Sequence, residues 1–358
     1  MRLPFLKLDL EKVASNIKTM ADNATKHKLE FRPHFKTHQS LVIAQLFKEH
    51  GVTGITVSSI YMADFFSKHG WNDITVAFPA GLSNVKLYDS IAKRSKLKVL
   101  AVDKAVVKKI NNAISESISM YIEIDPGYGR SGIRYDNFAL IDELLTAINS
   151  SENIQFEGFY CHAGHTYKCT SKKEIVALTD PILESLGTLK TKYGGNISFG
   201  DTPSCSVRDN FDGIDQISPG NFVFYDWMQT QIGACTPEQI AVTMHCEVVA
   251  KFPERNEVLI HGGAVHFSKD FVLNKDGERV YGFVKSKMNA GSESYIKSLS
   301  QEHGLVACSQ AEFSAIEIGD IIEVFPIHSC LTANLMREYV TASGKVIPQF
   351  GSGSPYQR

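Results

Sequence analysis

Phe31-Arg32-Pro33-His34-Phe35-Lys36-Thr37-His38 alternates basic residues (Arg32, His34, Lys36) with apolar residues or proline. In an extended segment this places the three basic groups on one face and Phe31, Pro33 and Phe35 on the other. Basic side chains resist burial without partners, and an anionic ligand would supply them. A lysine held at such a strand end could lose its proton and act as an imine-forming nucleophile. Outward from this run, β-type stretches recur at Gly54–Ser59, Ile74–Pro79, Leu97–Val102, Met120–Asp125, Gln155–His162, Asn196–Gly200 and Ile214–Ser218. Amphipathic helical patterns lie between them, as at Leu41, Ala44 and Phe47. An earlier one carries Val13, Ile17, Met20 and Ala21 after a capping residue at or near Asp9. Counting the first run, eight β/α units predict an α/β fold, a (β/α)8 TIM-type barrel over 10–230.

From about residue 235 strand-like runs dominate: Ile240–Val249, Glu257–His261, Val280–Val284, Ile321–Phe325 and Arg337–Val340. Turns at Asn274–Gly277 and Ala342–Lys345 separate some of them. Residues 231–358 therefore read as a mainly β C-terminal domain, to which residues 1–9 contribute a strand.

Composition narrows the function classes. The chain has 358 residues with a net charge of -2, which gives no electrostatic case for nucleic acid. No apolar stretch approaches the ~20 residues that span a bilayer, and Met1–Lys7 has no extended apolar signal core. Seven cysteines in so long a chain do not form a disulfide framework, so reduced thiols and a cytoplasmic location are expected.

Catalytic groups of such barrels stand at the C-terminal strand ends, and phosphate sites often follow strands seven and eight. Lys36 ends strand one. Gly200-Asp201-Thr202-Pro203-Ser204 follows strand seven and Pro219-Gly220-Asn221 follows strand eight. Either turn alone reads as an ordinary loop; together with the lysine they read as a phosphate cradle built on backbone donors. Strand five delivers Arg130 on the loop Pro126-Gly127-Tyr128-Gly129-Arg130-Ser131-Gly132, and strand six ends in Tyr160-Cys161-His162. A surface ion pair for Arg130 and a hydrogen-bonded core position for His162 are the plain alternatives; their shared place on the rim favours function.

Arg32-Pro33-His34-x-Lys36-Thr37-His38 resembles the lysine motif of the D-threonine aldolase and D-serine dehydratase family, fold-type III pyridoxal phosphate enzymes related to alanine racemase. The resemblance continues through Gly200-x-Thr202-Pro203, Pro219–Asp226 and Glu302-His303-Gly304 to Pro326–Asn334, in the family's order over nearly the whole chain. It implies that Lys36 is the imine-forming lysine and that Thr202, Gly220 and Asn221 hold the cofactor phosphate, with Tyr167 a further donor. It places Arg130 near the cofactor's phenolic oxygen and His162 at its ring, with His165 competing for that place. A homodimer is implied as well.

His328 and Cys330 are two apart, so in an extended segment they point the same way. Imidazole and thiolate suit zinc, although a buried cysteine is usually structural. The resemblance makes the pair metal ligands near the cofactor. It also tilts the chemistry to dehydration, since the aldolases carry Asp where Cys330 stands. The expected activity is metal-assisted β-elimination of a small D-β-hydroxy amino acid, D-serine first, to keto acid and ammonia. Aldol cleavage to glycine and aldehyde, racemisation, and a non-catalytic pyridoxal-phosphate-binding protein are the alternatives. The stretch Leu259–Asp270 departs from the family's Asp-Ala-Gly-x-Lys sequence, which leaves His266 open as a metal-shell, substrate or structural residue. Asp201, beside the phosphate turn, should point away from it, because a carboxylate facing phosphate is repulsive.

Overall fold

The computed structural model describes residues 2–285 and 294–352. Two compact units emerge among them: 17–36 with 43–220, and 2–16 with 37–42, 221–285 and 294–352.

The first unit is the barrel. Its eight strands are Glu30–Phe31, Ile55–Val57, Asp73–Pro79, Lys96–Ala101, Ile118–Asp125, Ile154–His162, Asn196–Gly200 and Gln216–Ile217. They pair in parallel in this cyclic order. A bridge between His34 and Thr56 closes the ring, with Phe35 N–H donating to Thr56 O at 2.8 Å and Thr56 N–H to Pro33 O at 2.9 Å. Each expected strand is present. The first is shorter than the alternation suggested: the strand itself ends at Phe31, only the isolated bridge at His34 follows, and 35–38 form a turn. Phe35 is fully buried and packs at 5.0 Å from Phe47, 5.1 Å from Phe66 and 5.0 Å from Trp71. That anchor fixes the backbone of Lys36.

Arg32 does not serve a ligand. Its side chain is buried, with its guanidinium nitrogens 2.7 and 2.8 Å from the two carboxylate oxygens of Asp73 and 2.6 Å from Glu30. Lys98 extends the cluster to Asp73 at 3.5 Å and Glu157 at 3.1 Å, and Gln216 donates to Glu30 at 2.8 Å. Asp73 and Glu30 are the first residues of their strands, so these charges fill the barrel's N-terminal mouth. Residues two apart share a face but rise about 6.6 Å along a strand; Arg32 therefore lies below the level that His34 and Lys36 reach.

Gly158 marks the closest approach of two strands. Its φ is +146°, and a Cβ there would lie 1.9 Å from Asn196 O, a backbone atom that has no rotamer with which to yield. Gly158→Ala is expected to destabilise the protein by more than about 3 kcal/mol, measured as a lower urea midpoint with an unchanged slope.

The second unit holds a nine-stranded sheet. Phe5–Leu8 pairs antiparallel with Val242–His245, which places the N-terminal strand in this sheet. Val242–Phe252, Glu257–His261, His303–Ala307, Tyr295–Leu299, Gly282–Val284 and Ile321–Pro326 close into a six-stranded ring through the pairing of the first two. The turn Asn274–Gly277 joins two short strands, Val272–Leu273 and Arg279–Val280. Asp9 caps the helix Leu10–Lys26, accepting from the backbone of Glu11 and Lys12, each at 3.1 Å.

Candidate active site

A cavity of about 340 Å³ opens within the barrel unit, lined by His34, Lys36, Ser58, Glu123, Arg130 and His162 among others. The sequence-derived trio Lys36, Arg130 and His162 therefore meets in one place. Lys36 N–H donates to His34 Nδ1 at 3.3 Å, and His34 N–H to Pro219 O at 2.8 Å, tying the lysine segment to the turn after strand eight. His162 Nδ1 lies 3.1 Å from Gly200 O, so it carries the ring proton and leaves Nε2 as the acceptor. Burial, reinforced by the charges of Lys36 and Arg130, pushes the His162 pKa down to about 3; the ring is neutral at physiological pH. Arg130 sits over the Tyr128 ring at 5.7 Å and 4.0 Å from Glu123. His165, the competitor for the ring position, stacks on Tyr128 at 5.9 Å and does not line the cavity.

Glu123 was not singled out by sequence reasoning. It is buried, accepts from Ser131 Oγ at 2.6 Å, and its Oε2 has no hydrogen-bond partner. Burial raises its carboxyl pKa. An acidic residue inside an otherwise apolar strand, Met120–Ile124, was the available signal.

Beyond strand seven, Thr202 opens the short helix Thr202–Val207 and is fully buried. Asp201 caps that helix, accepting from Ser204 N–H at 2.7 Å and Thr166 Oγ1 at 2.9 Å, which accounts for a carboxylate in the turn after strand seven. Burial raises its pKa to about 6. Tyr167 is half-buried on the 3-10 turn Gly164–Lys168. Gly220 is buried in the barrel unit, and Asn221, next in the chain, opens the 3-10 turn Asn221–Val223 of the other unit.

In that second unit, His328 and Cys330 are not on an extended segment. His328 caps the helix Ser329–Met336, and Cys330 lies in its first turn. The pair still meets, because the His328 imidazole hydrogen-bonds the Cys330 side chain. Cys330 Sγ is also 3.2 Å from Thr37 Oγ1, the residue following Lys36, and 3.6 Å from Asn221 Nδ2. Asp226 Oδ2 accepts from Ser329 N–H at 2.9 Å and from Asn221 Nδ2 at 2.5 Å, fixing the helix start. Tyr339 Oη holds the lysine segment's continuation by donating to His38 O at 2.8 Å.

His266 belongs to a different cluster. Its Nε2 and that of His261 lie 3.7 and 3.6 Å from Glu302 Oε2. His266 Nδ1 accepts from Gly263 N–H at 3.1 Å, so the neutral ring keeps its proton on Nε2. A ring so protonated offers Glu302 a donor rather than a metal a lone pair, which favours the structural reading.

Residues 8–191 match the alanine racemase N-terminal domain, and residues 241–342 match a serine dehydratase domain. The chain is 32% identical to a D-serine dehydratase of Dictyostelium discoideum over 365 residues, 91% of this chain and 90% of that relative. The chain belongs to the D-serine dehydratase and D-threonine aldolase family. Like the dehydratases and aldolases it is similar to, it is a lyase. It is 24% identical to the D-threo-3-hydroxyaspartate dehydratase of Delftia sp., covering 96% of this chain and 95% of that one. The solved structure of the latter superposes with a TM-score of 0.88, at 22% identity, over 98% of this chain and 97% of that one. A D-threonine aldolase from Filomicrobium marinum has the same fold, with a TM-score of 0.83 at 19% identity over 97% and 94%.

Family membership implies pyridoxal phosphate, and the barrel cavity fits it: an amine, a guanidinium and a neutral imidazole converge in a space of about 340 Å³. An imidazole beside a thiol likewise fits a divalent cation of zinc type.

Proposed function

We propose that the protein is a pyridoxal-phosphate-dependent, metal-assisted dehydratase of a small D-β-hydroxy amino acid, with D-serine the first substrate. Its net reaction expels the β-hydroxyl as water and hydrolyses the resulting enamine to an α-keto acid and ammonia. The observation that carries this reading is the Lys36 amine set in one cavity with Arg130 and His162.

Lys36 would hold the cofactor and, when its amine is free, would serve as the base for the substrate Cα proton. Pyridoxal phosphate, when bound, would supply an electron-withdrawing ring. His162 would present its neutral Nε2 to the cofactor ring, and Arg130 would supply positive charge to its phenolic oxygen. Thr202, Gly220, Asn221 and Tyr167 would bind its phosphate. His328 and Cys330 would hold a divalent cation, which would supply Lewis acidity for loss of the hydroxyl. A cysteine-to-alanine variant of a D-threo-3-hydroxyaspartate dehydratase has been solved in a metal-free form, which supports a metal in that relative.

Incubating purified protein with a panel of D-β-hydroxy amino acids, with and without zinc, tests the reading by product mass. Keto acid and ammonia are expected. Glycine and aldehyde would mark an aldolase, and α-deuterium exchange without cleavage a racemase. Cofactor binding with none of these would reduce the protein to a carrier. His328→Ala and Cys330→Ala are each expected to lose bound metal, measured by elemental analysis, and to slow elimination by at least about 10²-fold. All seven cysteines are free thiols, which suits a reducing compartment and supports cytoplasmic residence. A homodimer completes the reading and is checked by sedimentation.

A further inference from the structure

The stretch Leu259–Asp270, which departs from the family pattern, ends beside the proposed metal pair of the second unit. Asp270 Oδ2 lies 2.6 Å from His328 Nδ1. An ionised carboxylate only accepts, so in the neutral ring that a metal ligand requires this contact keeps the proton on Nδ1 and leaves the lone pair on Nε2. The bond also fixes the ring plane. An imidazole free to rotate would have to be ordered by the metal itself.

Three further features show that this stretch is held to its task. Phe267 is buried, and its carbonyl accepts from Thr332 Oγ1, one turn along from His328, at 3.2 Å. The Asp270 N–H donates to Ser268 Oγ at 3.1 Å. Ser268 has φ +70° and ψ −173°, a conformation that glycine adopts and serine does not favour. Strain of this kind costs about 1–3 kcal/mol and persists where the surroundings enforce it. Here it turns the chain so that Asp270 faces His328.

We propose that Asp270 is a positioning residue of the metal site: it holds His328 in the tautomer and orientation that present Nε2 to a divalent cation, and so sets the affinity of the His328–Cys330 pair. This rests on the metal reading given above. Carboxylate partners of ligating histidines are worth about 10–100-fold in metal affinity, because they raise ligand basicity and hold the ring in place beforehand.

The experiment measures zinc affinity of the pyridoxal-phosphate-loaded, metal-stripped full chain by competition with a chelating dye. The proteins are wild type, Asp270→Asn, Asp270→Glu, His328→Ala, Cys330→Ala and, as a control in the Asn274–Gly277 turn, Asp276→Asn. Asp270→Asn is expected to weaken zinc binding about 10–100-fold, Asp270→Glu to restore part of it, and Asp276→Asn to leave it unchanged. An affinity within twofold of wild type in Asp270→Asn, alongside loss of zinc in His328→Ala and Cys330→Ala, would overturn the role of Asp270 alone. Zinc binding indifferent to His328→Ala and Cys330→Ala would overturn the metal pair and the role of Asp270 with it. Nitrogen NMR of wild-type protein labelled in histidine decides the matter even where Asp270→Asn does not fold. Zinc on His328 Nε2 with a protonated Nδ1 supports the proposal, and zinc on Nδ1 sinks it.

Discussion

Lys36→Ala is expected to abolish turnover, with kcat at least about 10³-fold lower, and to remove the visible absorption of the lysine-bound cofactor. Two functions are lost in one substitution. Proton transfer by a positioned side chain is worth about 10²–10⁴-fold, and Lys36 also supplies the only covalent hold that the proposed mechanism uses. The surroundings of the site should survive, since the segment is anchored by Phe35 against Phe47, Phe66 and Trp71 rather than by the lysine. An unchanged urea midpoint would separate lost chemistry from lost folding. Lys36→Arg sharpens the test, because it keeps the charge and the length but cannot form the imine. Absorption retained unchanged in Lys36→Ala would remove Lys36 from its role.

Asp73→Asn should give the largest loss of stability among single polar substitutions, about 3–5 kcal/mol. It leaves the buried Arg32 guanidinium facing an amide where it had two carboxylate contacts, at 2.7 and 2.8 Å. Arg32 cannot escape by shedding its proton: burial pulls its pKa down, but the neighbouring Asp73 and Glu30 charges outweigh that and hold it above the ordinary value. Lys98, 3.5 Å from Asp73, would lose a partner too. Urea denaturation measures the effect, and a variant within about 1 kcal/mol of wild type would show the cluster to be replaceable. The acid limb gives an independent reading. Burial opposes ionisation of Asp73, yet hydrogen bonds and charge from Arg32, with Lys98 behind, overcome it and hold the carboxyl below the usual carboxylate range. Its contribution is therefore complete above the pKa of the unfolded chain and is lost as pH falls through the lower folded-state pKa. Wild type should lose this stability increment in strong acid, and Asp73→Asn should lack that component of the acid transition.

Much of the barrel is legible in local sequence because each β/α unit carries its own hydrophobic period, and parallel strands buried on both faces read as near-continuous apolar runs. Lys36, Arg130 and His162 could be assembled because the fold dictates that strand ends share a rim. The fates of Arg32, Glu123 and Asp270 were less accessible. Alternation says which face Arg32 occupies and nothing of its height, and its partner Asp73 is 41 residues away. Asp270 meets His328 across 58 residues through a serine with positive φ, a conformation that sequence periodicity does not encode. The extended geometry expected for His328 and Cys330 gave way to a helix start because Asp226, over 100 residues earlier, accepts from the Ser329 N–H. Such caps are set by tertiary contact, and no local pattern announces them.

The ionic cluster of Arg32, Asp73, Lys98, Glu157 and Glu30 also governs traffic. With Tyr121 fully buried within the same unit, it stoppers the barrel from below. The cavity holding Lys36 is lined instead by residues near the C-terminal strand ends, among them Glu123, Arg130 and His162. On the proposed reading, cofactor, amino acid, ammonia and keto acid would all pass on the side of the barrel unit where Lys36, Arg130 and His162 stand, away from the ionic cluster.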